Sequence, residues 1–231
     1  MSRALTRLLR GGMIGLLGCL LAPAIHAHGV AEGDAQFLES LTGVHFLPLL
    51  YLGAKHMVTG YDHLLFLAGV IFFLSRLKDV ALYATLFAVG HSTTLLLGVL
   101  SGLHVNAYLV DAIIGLSVVY KALENIGALR WWGLTLDTRA AVLAFGLVHG
   151  FGLSTKLQDL ALSRDGLVGN MVAFNIGVEL GQIVSLTLML LAFTLWRRSA
   201  TFQRSAYVAN VAILAAGFVL FGYQLAGLSV S

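Results

Sequence analysis

The stretch KHMVTGYDH, residues 55 to 63, holds three groups able to grip a cation: His56, Asp62 and His63. The uncharged run LLFLAGVIFFL follows directly. Further along, His91, His149 and Glu179 each stand inside an apolar stretch. Imidazole with carboxylate is borderline-to-hard ligand chemistry and suits Ni²⁺, Co²⁺, Zn²⁺, Fe²⁺ or Mn²⁺. The only cysteine is Cys19, near the N-terminus, and Met57, Met171 and Met189 make no cluster in the sequence. Both facts argue against a site built for Cu(I).

The elements that must position these groups are written in the composition. The chain of 231 residues is 58% hydrophobic and 11% charged, with a mean hydropathy of +0.89. A soluble domain carries about a quarter charged residues, and several runs here reach the roughly 20 residues that cross a bilayer. Lipid satisfies no backbone group, so the expected fold is all-α, a polytopic membrane helix bundle. The small excess of base over acid (14 against 11) reads as topology-setting charge, not as a nucleic-acid surface.

Residues 1–27 read as a signal peptide: Arg3, Arg7 and Arg10, then GGMIGLLGCLLA, then small residues at Ala24 and Ala27, either of which could precede the cut. An uncleaved anchor helix is the alternative. Cleavage would remove Cys19. After Ala27 it would free the amine of His28, and an amine with an imidazole can chelate copper or nickel. Residues 28–57 are expected on the outer face, with an interfacial or re-entrant helix over 37–56; the rival is a seventh span. Residues 58–231 form the transmembrane domain. Six spans are expected, at about 58–76, 80–101, 107–128, 139–157, 168–196 and 206–228. Arg76, Lys78, Arg130, Arg139, Arg197, Arg198 and Arg204 fall in predicted inner loops, against Lys55, Lys156 and Arg164 outside. This places both mature termini on the periplasmic side of a bacterial inner membrane.

Depth sorts the polar groups into tiers, at about 1.5 Å per helical residue. Asp62, His63 and Asp111 lie near the outer ends of their spans, and His56 shares a face with His63 if the helix continues through Gly60. His91, His149 and Glu179 lie roughly 8–11 residues in, near the midplane of three different helices. Asn175 and Gln182 flank Glu179 at about one turn on its own helix. Glu124 sits lower, with Lys121 a turn away as a salt-bridge partner and Asn125 beside it. A charge at mid-bilayer costs about 2.5–3.5 kcal/mol on insertion scales, so such residues face the bundle interior and have a use. His91 with Glu124, and His149 with Glu179, also hint at a parallel repeat.

In order along the chain, HMVTGYDHLLFL, AVGHSTTL, SVVYKALEN, FGLVHGFG and FNIGVELGQ resemble the HupE/UreJ family of bacterial membrane proteins. The resemblance covers roughly residues 50 to 190. It implies a nickel or cobalt permease, associated with hydrogenase and urease accessory genes, with His56, Asp62, His63, His91, Glu124, Asn125, His149, Asn175 and Glu179 at the motif positions. The hydrogenase-linked branch often has a His-Pro pair ahead of its GxDH; Lys55-His56-Met57 stands here instead, which resembles the less characterised branch.

The expected activity is import of a divalent ion, captured by Asp62, His63 and His56 and passed to His91, His149 and Glu179, with Glu124 as a lower step or a proton acceptor. The partners are the bilayer, the ion and a periplasmic or cytoplasmic metallochaperone. An integral-membrane metalloenzyme would use the same groups, but HExxH and repeated His boxes are absent. A structural subunit would pair its polar residues among themselves.

Overall fold

The computed structural model describes residues 32–134, 136–160 and 163–230. The expected signal peptide, Cys19 and the amine of His28 lie outside the described residues. Among the described residues every regular element is a helix: α1 (Glu32–Ser40), α2 (Phe46–Thr59), α3 (Tyr61–Ile71), α4 (Leu77–Ser101), α5 (Ala107–Asn125), α6 (Ala128–Trp131), α7 (Thr138–Gln158), α8 (Leu167–Arg197) and α9 (Phe202–Val230).

Four of these, α4, α7, α8 and α9, are long and apolar enough to cross a membrane. Their outward faces stay oily: Leu97, Leu180, Leu188 and Val219 are exposed, as suits helices surrounded by lipid tails. The helix at the expected third span, α5, has 19 residues but carries Asp111, Lys121 and Glu124. The expected first span, 58–76, is not formed as one helix. The chain breaks at Gly60, which has φ −73° and ψ 96°.

Glycine sets the closest packing. From α7, a β-carbon on Gly150 would lie 2.0 Å from the His91 carbonyl oxygen of α4. Between α2 and α8, β-carbons on Gly53 and Gly177 would each lie 2.0 Å from a carbonyl oxygen, of Phe174 and Leu50 respectively. Backbones this close gain dispersion along their whole length, the main attraction between helices in lipid. Contacts advance together along α2 and α8, so these two run parallel, as do α4 and α7; α5 and α9 run antiparallel.

α2 and α3 together follow α8 from end to end. Asn170, near the start of α8, accepts from His45 N at 2.7 Å and donates to the Gly43 carbonyl at 2.9 Å. At the other end Arg197 donates to the carbonyls of Ile71 (2.9 Å) and Phe72 (2.7 Å). Residues 46–57, expected on the outer face, thus pack lengthwise on the longest helix. Gly60 falls part-way along that path. Its N–H closes α2 on the His56 carbonyl (2.9 Å), and its own carbonyl starts α3 through Leu64 N (3.0 Å).

Candidate metal site

The break brings four imidazoles from four helices together. α2 supplies His56, α3 His63, α4 His91 and α7 His149. The His63 ring centroid lies 5.1 Å from that of His56, 5.7 Å from His91 and 5.1 Å from His149. His63, His91 and His149 are each at most 1% exposed. One ligand atom each from His56, His63 and His91 fall within 4.8 Å of one another. A metal–imidazole bond is about 2.0–2.1 Å, so a shared ion would draw these three side chains toward it. The two expected tiers therefore meet at one residue: His63 of the outer tier lies against His91 and His149 of the middle tier. The reason is the path of the chain. With α2 running along α8 ahead of it, the DH pair starts a helix among buried residues.

Asp62 Oδ1 lies 3.1 Å from His63 Nδ1. A carboxylate accepting from Nδ1–H fixes the tautomer and leaves Nε2 as the basic nitrogen, the usual support for a metal-binding imidazole. Asp62 also sits in the first turn of α3, where the helix dipole favours an anion. Gly60 leaves room for this pair: a β-carbon there would lie 2.8 Å from His63 Nδ1 and 3.4 Å from Asp62 Oδ1. His149 Nδ1–H donates to the Phe145 carbonyl at 2.7 Å, which likewise leaves its Nε2 as the base. His91 is wholly buried, and neither ring nitrogen has a hydrogen-bond partner among the described residues. A buried polar group without a partner costs about 1–3 kcal/mol; a bound cation would remove that cost for one nitrogen.

An aromatic layer underlies the histidines. Phe66, Phe87 and Phe145 each stand one turn from a site histidine on the same helix, toward the end where α3 finishes. Phe66 lies 5.6 Å from both other rings, and Phe87 packs edge-on to His149 at 5.1 Å.

The other expected groups have contacts of their own. Asp111 pairs with Lys156 (2.6 Å). Glu124 is held by Lys121 and by Thr138 Oγ1 at 2.8 Å. Asn125 donates to the Gly69 carbonyl and to Asn210 Oδ1, both at 2.8 Å. This inner polar group is satisfied within itself. Gln182 donates to the Ala84 carbonyl at 3.1 Å, and Asn175 to the Met171 carbonyl at 3.1 Å. Glu179 is exposed on the outward face of α8, beside exposed Ile176, Leu180 and Ile183, and takes no part in the histidine cluster. Counting residues along α8 does not fix rotation about the helix axis, and that rotation leaves Glu179 exposed.

Sequence reasoning counted Lys156 and Arg197 only as topology-setting charges and passed over Asn210; Arg197 and Asn210 tie helix ends together. A cation within one turn of a helix end, level with a membrane-embedded Asp, was the available signal for Lys156.

A family model described as HupE / UreJ protein matches residues 32–231. No curated protein and no solved structure matches the chain.

Proposed function

Because the chain belongs to the HupE/UreJ family, we propose that it is a membrane permease for a divalent transition-metal ion such as nickel or cobalt. The observation that carries this reading is the meeting of His56, His63 and His91 at a broken helix. Transporters commonly place ion sites where a helix is interrupted inside the membrane, because the break frees backbone carbonyls and turns a helix end toward the ion. Here α2 and α3 would make one broken crossing and α5 a charged one. With the four long apolar helices, that gives six crossings of a bacterial inner membrane, with both mature termini periplasmic.

The ion would exchange water for imidazole nitrogen at His56, His63 and His91, with His149 within reach of the same site. Asp62 would hold His63 in the binding tautomer and supply negative charge. Neutral imidazoles give a site that binds without closing a tight anionic cage, and release is what conduction requires. Passage inward would need the layer of Phe66, Phe87 and Phe145 to part. Glu124 is tied to Lys121 and Thr138 and would act only after that pair opens.

The test is uptake of Ni²⁺, Co²⁺ and Zn²⁺ into liposomes holding the purified protein. Wild type should admit at least one, and His63→Ala should admit none. Absence of flux for every ion would sink the reading, and stoichiometric metal held without flux would favour an integral-membrane metalloenzyme.

A further inference from the structure

Outside the histidine cluster, Asp111 near the start of α5 meets Lys156 in the last turn of α7. Lys156 Nζ lies 2.6 Å from Asp111 Oδ2, and the two side chains are 15% and 6% exposed. The second carboxylate oxygen, Asp111 Oδ1, is buried and has no hydrogen-bond partner among the described residues; the same holds for the hydroxyl of Tyr61. Tyr61, the first residue of α3, lies within electrostatic reach of both Asp62 and Asp111. Lys156 is within reach of Asp111, Asp62 and Asp159. Asp159 is exposed and meets His104 Nε2 at 2.9 Å. Lys156 therefore pairs with Asp111 in a region where the charges of Asp159 and Asp62 are also felt.

Resting on the permease reading above, we propose that Asp111 is a second divalent-cation subsite, occupied in the metal-free protein by the Lys156 ammonium, which an arriving ion displaces. A buried carboxylate needs a counter-charge at all times, since breaking a buried pair leaves an uncompensated charge. A lysine suits a removable counter-charge. It is a point charge on a flexible stem, where arginine would clamp the carboxylate with two bonds. Lys156 stands one turn from the end of its helix, so its head can swing toward Asp159 and water while its stem stays buried. A divalent ion brings twice the charge of the ammonium and can use the spare Oδ1. A monovalent ion brings equal charge without the tether and does not displace it. The pair thus passes divalent over monovalent ions toward Asp62.

The test is chemical acylation of lysines in the full-length protein in detergent, read by mass spectrometry, with exposed Lys78 as the internal reference and nickel binding followed in parallel by calorimetry. Saturating Ni²⁺ should raise Lys156 acylation relative to Lys78 about tenfold, the change that about 1.4 kcal/mol of lost pairing produces; K⁺ should not. In Asp111→Asn, Lys156 should react fast with or without nickel; should that variant fail to fold, the wild-type contrast between Ni²⁺ and K⁺ decides. In His63→Ala the nickel-driven rise should persist. Its loss there would assign the effect to the histidines and overturn a separate subsite. Calorimetric nickel binding with Lys156 still protected overturns the displacement and leaves the permease reading standing. Absence of binding for Ni²⁺, Co²⁺ and Zn²⁺ alike overturns both.

Discussion

His56 and His63 face each other across the helix break at Gly60, their ring centroids 5.1 Å apart and their planes near perpendicular. Seven positions separate them in sequence, two turns of an unbroken helix. The break instead turns two helix ends toward a common space and lets His91 and His149 close the other sides. The predictions below follow from that geometry.

Asp62→Asn keeps the size of the side chain but weakens its hold on His63 Nδ1. Loss of such a supporting carboxylate costs about 10–100-fold in metal affinity. Calorimetry with Ni²⁺ or Co²⁺ should show a fall in that range with the fold intact by circular dichroism. Unchanged affinity would mean that Asp62 does not orient the imidazole.

Gly60→Ala sets a methyl 2.8 Å from His63 Nδ1. The ring must turn away, so metal affinity should drop by about tenfold or more, as when a supporting partner is lost. Thermal unfolding should move less, because alanine is allowed at φ −73° and the His56 carbonyl oxygen, 3.0 Å from the new methyl, need give only slightly. Equal losses in both would make Gly60 a folding residue only.

Gly177→Ala drives a β-carbon to 2.0 Å from the Leu50 carbonyl oxygen. Backbone cannot yield as a flexible side chain can, and overpacking of this kind costs about 1–3 kcal/mol. The melting temperature in detergent should fall, and His56, carried on the displaced α2, should lose metal binding with it.

Glu179→Gln separates depth from direction. The side chain faces outward on α8, away from the cluster, and exposed substitutions change free energies by about 0.5 kcal/mol or less. Metal affinity should stay within about twofold of wild type on that scale. A loss of tenfold or more would return Glu179 to the site.

Composition and hydropathy alone made the chain a helical membrane protein, because nothing else can keep so much apolar surface and so few charges in one chain. The histidines were legible for the same reason: an imidazole inside an oily run has a cost, and that cost asks for a use. The ordered motifs pointed to the family that the whole described chain matches. The spacing of these groups along each helix was legible too, since it only requires counting residues. Two things were not. Gly60 could have continued a helix or ended it, and only the packing of α2 along α8, glycine against carbonyl, decided that the DH pair begins a new helix inside the bundle. Rotation was the other. Glu179 and Asn175 lie one turn apart on α8, yet the first is exposed and the second buried. Which way a side chain turns depends on which face its neighbours cover, and those neighbours come from distant segments that only the folded structure brings together.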